Sequence, residues 1–184
     1  MNVKDHFVEL PISTRDGQFT ARYSEKGLAE LSFPKMDCRR RGNESQISSA
    51  NGLAKDSSRR LLQSEIRAWH NTTESALKNV LAGRKAKNLP PLDLAGTEFQ
   101  KKVWNALRKI SPGETKSYGE IARAIGKPKA VRAVGGACGA TPVPVLVPCH
   151  RVLAANKKLG GFSGGLDWKR SLLKCEGINL QSAG

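Results

Sequence analysis

Between Gly96 and Gly126 the apolar positions twice fall at helical spacing. In "GTEFQKKVWNALRKISPG" the residues Phe99, Val103, Ala106, Leu107 and Ile110 form one stripe, opened by the Thr97–Gln100 capping pair and stopped at Ser111-Pro112-Gly113. Trp104 lies beside that stripe and reads as core. The stretch "SYGEIARAIG" repeats the opening signature with Ser117 and Glu120 and ends at Gly126. Pro128 stands where a following helix would have its first residue, so the pattern predicts a helix-turn-helix.

At about 100° per residue, the second of these helices divides into two faces. Ala130, Val134, Ala137 and Cys138 fall on one side, and Lys129, Arg132, Gly135, Gly136 and Gly139 on the other. One face is core and the other is basic or bare. A glycine inside a helix costs roughly 1 kcal/mol relative to alanine, so three on the outer face call for the close approach of another backbone. Nucleic acid and a packed protein element both meet that description.

The first half is patterned differently. "GQFTARYSEKGLAELSF" reads as two short strands around a turn at Ser24–Gly27, with Phe19, Leu28 and Leu31 among the apolar positions. Residues 35–60 are polar, rich in Ser, Arg and Asn, and without periodicity, which predicts a mobile loop. Its arginines are candidates for DNA contact, with a solvated charge run as the simpler reading. "SRRLLQSEIRAWHNTTESALKNVLAG" then predicts one or two helices ending at Gly83, and "KNLPPLDLAG" a connection to a second unit.

Charge sharpens the picture. Lys and Arg outnumber Asp and Glu by 31 to 16 in 184 residues, for a net charge of +15. The excess is uneven: residues 1–95 carry 16 basic and 11 acidic groups, residues 96–184 carry 15 and 5, so ten of the fifteen surplus charges lie in the second half. Such a field favours a polyanionic partner. No segment approaches the roughly 18 apolar residues of a membrane span, and the start lacks a secretory apolar run, which predicts a soluble intracellular protein. Cysteines at 38, 138, 149 and 175 show no C-x-x-C spacing, which argues against a zinc knuckle or a disulfide scaffold. Cys138 and Cys175 lie on apolar helical faces and read as core thiols.

Cys149 has other neighbours. It sits in "VPVLVPCHRV", where Pro142, Pro144 and Pro148 fix their own φ angles and push the preceding residues toward extended conformations. A thiol held in a stiff segment is preorganised as a nucleophile. His150 is the nearest base. In an extended segment adjacent side chains point to opposite sides, so a water would bridge the two. The imidazole needs an orienting carboxylate, and the second half offers only Glu98, Glu114, Glu120, Asp167 and Glu176. Glu176 ends "DWKRSLLKCEG", where an anion meets the unfavourable end of the helix dipole. That placement hints at another duty, though an exposed acid of no consequence fits as well.

"PCHRV" at 148–152, with "SYGEIA" at 117–122, "RAVGGACG" at 132–139, "GGFSGGL" at 160–166 and "LLKCEG" at 172–177, resembles the O6-alkylguanine-DNA alkyltransferases, or methylated-DNA–protein-cysteine methyltransferases. The resemblance covers about residues 90–177 in matching order and spacing. It implies an α+β chain: a small α/β amino-terminal domain with a β-hairpin or sheet at 1–90, then a mainly helical domain with a winged helix-turn-helix at 91–184. It implies direct repair of double-stranded DNA, with the O6-alkyl group of a flipped guanine passing irreversibly to cysteine in a single turnover. Cys149 would be the acceptor, His150 its water-mediated base and Glu176 the group orienting His150.

By the same match Arg132 would enter the duplex where the base has left, and Tyr118 would lie at the rotated phosphate and base. Ser163 and the backbone near Val152 would contact guanine, and Gly135, Gly136 and Arg151 join the DNA-binding set. The resemblance implies no metal, no cofactor, a monomer and a cytoplasmic location. The family commonly has asparagine bracing the active-site turn where this chain has Thr141, which offers a single hydroxyl, and Phe162 stands where tyrosine is frequent. A non-catalytic binder of alkylated DNA, a transcription regulator and a thiol hydrolase are the competing readings. The first is opposed by the presence of Cys149, the second by the lack of base-reading side chains on the glycine-rich face, and the third by the lack of any marked acyl pocket.

Overall fold

A computed structural model describes residues 7–34 and 57–180, with side chains in the second span described from residue 62. Three antiparallel strands in the order β1-β2-β3 open the chain: β1 (Val8–Thr14), β2 (Gly17–Ser24) and β3 (Gly27–Ser32). The β2–β3 hairpin turns at Ser24–Gly27 as its pattern predicts. Strand β1 is an addition to that expectation. Only Ile12 among its seven residues is buried, and Pro11 is tolerated because β1 pairs on one side only. A half-exposed edge strand carries too little alternation to announce itself.

One helix, α1 (Ser57–Leu81), follows, and the chain turns at Gly83 in a left-handed conformation (φ 72°). Residues 57–60, expected within the loop, are its first turn, while 35–56 lie outside the described residues. Ile66, Thr73, Ala76, Leu77 and Val80 are buried at the spacing of one helical face. The proline-rich connection is not free chain. Leu28 N–H donates to Pro91 O (2.8 Å) and Asp93 N–H to Leu28 O (2.9 Å), so the connection runs along the start of β3.

Helices α2 (Glu98–Leu107) and α3 (Tyr118–Ala124) both carry the two reciprocal bonds of a capping box, from Thr97 and Ser117. Helix α4 (Val131–Gly139) starts three residues later than Pro128 predicts. Lys127 O instead accepts from Ala130 N–H (2.9 Å), closing a turn before the helix begins. The two faces of α4 are as the geometry predicts: Val134, Ala137 and Cys138 are buried, while Lys129, Arg132, Gly136 and Gly139 are exposed and Gly135 is half-buried. Trp104 is buried, and its indole N–H donates to Ala137 O (2.9 Å), which locks α2 to α4.

Strand β4 (Lys116–Ser117) pairs in parallel with β5 (Val152–Leu153), and α5 (Leu166–Cys175) completes the chain. The class is therefore α+β, with a small antiparallel sheet and five α-helices among the described residues. A single apolar cluster runs from Phe19 and Tyr23 through Leu77 and Trp104 to Leu172. Cys138 is buried as expected, but Cys175 is exposed. The inward face of α5 is centred on Lys169, Leu172 and Leu173, about 110° away from Cys175.

Candidate active site

From Val143 to Leu153 every residue is buried in an unbroken run. Few regular elements pass through it, so local bonds hold it. Thr141 Oγ1 donates to Cys138 O (2.8 Å), Val147 N–H to Val143 O (2.9 Å), Leu146 N–H to Pro144 O (2.9 Å) and Cys149 N–H to Val147 O (2.7 Å). Val145 takes φ 71°, a left-handed conformation that costs a β-branched residue on the order of 1–3 kcal/mol. The prolines and these bonds together impose it. Thr141 thus braces the turn with its one proton on the end of α4, and the neighbouring backbone does the rest.

Cys149, His150 and Arg151 form a 3-10 turn, not the extended segment the prolines suggest. Pro148 sits at ψ 60° and its carbonyl accepts from Arg151 N–H (3.1 Å), while Val152 N–H closes back on Cys149 O. At three residues per turn, neighbouring side chains in such a segment lie about 120° apart. His150 Nδ1 is buried with no hydrogen-bond partner among the described residues.

The other ring nitrogen is tied down. His150 Nε2 lies 3.1 Å from Glu176 Oε1, and both side chains are essentially inaccessible, at 0% and 1% exposed. Glu176 caps the C-terminal end of α5, so its charge faces the helix dipole unaided by the backbone. Arg151 supplies the compensation. Its Nε donates to both carboxylate oxygens (3.1 and 3.0 Å), its Nη2 to Oε1 (2.7 Å) and its Nη1 to Ile110 O (2.6 Å). Arg151 was expected in the DNA-binding set; its side chain is instead buried, with the guanidinium bonded to Glu176 and Ile110 O.

These contacts set the proton affinities. Burial pushes the Glu176 carboxyl up, but hydrogen bonds from His150 and Arg151 outweigh it and hold the group down at about 2. Burial holds His150 below its ordinary value despite Glu176. A neutral imidazole with Nε2–H on the carboxylate leaves a lone pair on Nδ1, the form a general base requires. Burial also pushes the Cys149 thiol up to about 11, partly offset by the Thr141 side chain and the Lys169 charge. The resting nucleophile is a neutral thiol that needs a base to act.

Lys169 was not singled out by the sequence. Its side chain is fully buried, and its ammonium donates to Val152 O (2.7 Å), Leu159 O and Gly161 O (3.4 Å), drawing the 159–161 segment onto β5. The available signal was its register with Leu172, Leu173 and Glu176 on one face of α5. Desolvation lowers Lys169 to about 8. Between that value and about 10.5 the unfolded chain binds the proton that the native state has released, so stability attributable to Lys169 rises with pH across that window. Relative to Lys169→Met, the wild type should gain on the order of 3 kcal/mol between pH 8 and 10.5. Urea melts of both proteins at the two ends of the window check this, and a constant difference refutes it.

Tyr118 is half-buried, and burial together with the neighbouring Cys138 and Cys149 holds its phenol above the ordinary value. Gly160, at φ 64°, passes under its ring; a Cβ there would stand 2.8 Å from the Tyr118 hydroxyl. Gly135 on α4 faces the same ring at 4.0 Å. Ser163 is exposed on the loop before α5. Val152 is buried, with its N–H on Cys149 O and its carbonyl on Lys169, which leaves the carbonyl's second lone pair for a further contact. Arg132 projects from the exposed face of α4. Among the described residues no three His, Cys, Asp or Glu are placed to hold a metal, and no helix is long and apolar enough to cross a membrane.

Comparisons with known proteins agree on one family. Residues 98–178 match the family described as 6-O-methylguanine DNA methyltransferase, DNA binding domain. A methylated-DNA–protein-cysteine methyltransferase of Methanosarcina acetivorans is 62% identical over 82 residues, which is 45% of this chain and 53% of the relative. The chain spans about half the length of the curated relatives it matches. Solved structures extend the likeness further. That of Mycobacterium tuberculosis OGT in complex with DNA is 35% identical, covers 90% of each chain and superposes with a TM-score of 0.67. That of the M. tuberculosis O6-methylguanine methyltransferase is 32% identical over 96% of this chain and 97% of its own, with a TM-score of 0.68.

Proposed function

The chain belongs to the O6-methylguanine DNA methyltransferase family, and from that premise we propose that it repairs DNA by taking the O6-alkyl group of a damaged guanine onto Cys149. The observation that supports the reading is the buried His150–Glu176 pair on the turn that carries the Cys149 thiol: one imidazole nitrogen lies on a carboxylate held at about 2, and the other has no partner among the described residues.

Hydroxide is not needed as a nucleophile. The Cys149 proton passes through a bridging water to His150 Nδ1, and the thiolate attacks the saturated carbon bound to guanine O6. The S–C bond forms as the C–O bond breaks, and the electron pair stays with the guanine, which takes up a proton and leaves neutral. A thioether is not reversed by water, so each molecule acts once. In this reading Tyr118, Ser163 and the Val152 carbonyl hold the extruded base, and the half-buried Gly135 and exposed Gly136 let α4 approach a minor groove closely. The +15 net charge supplies affinity without sequence preference, falling as salt rises. Such a protein works as a monomer inside the cell, on its DNA.

Incubation with a duplex carrying one O6-methylguanine is the test. One methyl mass should appear per protein, on the peptide containing Cys149. No gain, or a gain on Cys138 or Cys175, overturns the reading. In this scheme Arg132 fills the space left by the base. Arg132→Ala should therefore slow transfer from duplex roughly tenfold or more, since unstacking costs a few kcal/mol, and change transfer from free O6-benzylguanine by less than about twofold. Equal losses on the two substrates remove that role.

A further inference from the structure

Strand β3 and the residue that follows it, Phe33, touch both walls of the site. On one side, Leu31 N–H donates to Pro142 O (2.9 Å), at the start of the proline segment that presents Cys149. On the other, the Phe33 ring lies directly on the backbone of Gly164, where a Cβ would stand 2.5 Å from Phe33 Cε2. Gly164 is next to Ser163. Phe33 also meets Phe162 edge-on, with centroids 5.6 Å apart, and Phe162 in turn meets the His150 ring edge-on at 6.5 Å. Phe19 of β2 (5.6 Å) and Trp168 of α5 (5.1 Å) close around Phe33 from behind.

Between the two walls lies a cleft of about 490 Å³, with Thr141, Pro142 and Pro144 on one side and Ser163, Gly164 and Trp168 on the other. Its remaining lining is Glu30 to Pro34 of the amino-terminal sheet. None of the three relay residues lines it, so the cleft is not the reaction chamber. It measures the distance between the segment that carries the nucleophile and the loop that carries Ser163.

We propose that Phe33 is a positioning residue for alkyl transfer: wedged against Gly164 and Phe162 while its own strand is bonded to Pro142, it sets the spacing between the Cys149 segment and the Ser163 loop. This rests on the function proposed above. Loss of the ring lets the 162–164 loop settle toward β3, carrying Ser163 away from the base and Phe162 away from His150. A displacement on the order of 1 Å at reacting groups is enough to cost a hundredfold in rate. The glycine at 164 follows from the same contact, because any side chain there displaces the wedge.

The test is a cycle of Phe33→Ala, Gly164→Ala and the double variant, with Phe33→Leu as the conservative replacement. First-order methyl transfer and half-saturation are measured separately on an O6-methylguanine duplex, with affinity for undamaged duplex and thermal unfolding beside them. Phe33→Ala and Gly164→Ala should each lower the first-order step roughly tenfold or more while leaving affinity for undamaged DNA within about twofold, since α4 is untouched. Phe33→Leu should recover much of the rate. The double variant should be no slower than Phe33→Ala alone, because the added Cβ then meets no ring. Full activity in folded Phe33→Ala, or losses that multiply in the double variant, overturn the proposal. If Phe33→Ala does not fold, full activity in Gly164→Ala overturns it equally. A wild-type protein that takes up no methyl group overturns the proposed repair function itself, and is told apart by that control.

Discussion

Cys149→Ala will end methyl uptake completely while leaving a folded protein that still binds duplex DNA. The thiol is 3% exposed and, held at about 11, is neutral at pH 7, so its removal breaks no ion pair. The loss is that of one packed sulfur, roughly 1 kcal/mol, against a stability of about 5–15 kcal/mol for a protein of ordinary size. Among the described residues no second thiol can stand in. Burial and the neighbouring Cys149 raise Cys138 to about 12, and its own carbonyl is already occupied by Thr141. His150 Nδ1, the free base, belongs to the turn that carries Cys149. Cys175 is exposed on the far side of α5, away from the face that holds Lys169 and Glu176. Intact mass after long exposure to O6-methylguanine duplex measures uptake, and fluorescence anisotropy measures binding. A methyl group on any other residue of Cys149→Ala would show that the relay does not activate the sulfur assigned to it.

Much of this site was legible in the sequence because its parts are local. Two capping boxes, a glycine-surfaced helix face and a run of prolines before Cys-His-Arg each carry a mechanism within ten residues; the capping boxes and the helix faces stand where the pattern put them, while the prolines lead into a 3-10 turn and not an extended segment. Among the five acids of the second half, the residues alone leave Glu176 open between an orienting role and an idle surface acid, and only the resemblance singles it out; the buried pairing with His150 gives its place at a helix end a reason. What failed was long-range. Arg151 reads as a surface cation until Glu176, 25 residues on, and Ile110, 41 residues back, claim its guanidinium. Phe33 reads as the last apolar residue of a hairpin, because nothing in the hairpin marks Gly164 and Phe162 as its neighbours. Strand β1 was lost for a local reason, since a single buried side chain gives no alternation to detect.

Glu176 governs both stability and chemistry, and the two effects separate with pH. Glu176→Ala leaves the Arg151 guanidinium buried with Ile110 O as its remaining protein partner, and leaves His150 without its anchor. Breaking a buried pair from one side costs about 3–5 kcal/mol, which in a protein of this size lowers the melting temperature by about 6–20 °C at 2–4 °C per kcal/mol. Glu176→Gln is the sharper probe. It keeps the shape and one acceptor for His150 Nε2, but turns an amide N–H toward a guanidinium that also only donates. The native carboxyl at about 2 lies below its ordinary 4.5, so the folded state gives up its proton first. The wild type's advantage over Glu176→Gln is therefore complete above about pH 4.5 and lost as pH falls toward 2, on the order of 3 kcal/mol in all. Transfer measured at neutral pH and low temperature, where both proteins are folded, isolates the chemical role. There Glu176→Gln should be slower by roughly a hundredfold, because an imidazole no longer fixed with Nε2–H outward spends less time with Nδ1 free to take the thiol proton. A variant that melts early yet transfers at the wild-type rate would reduce Glu176 to a clamp on Arg151 and leave His150 to orient itself.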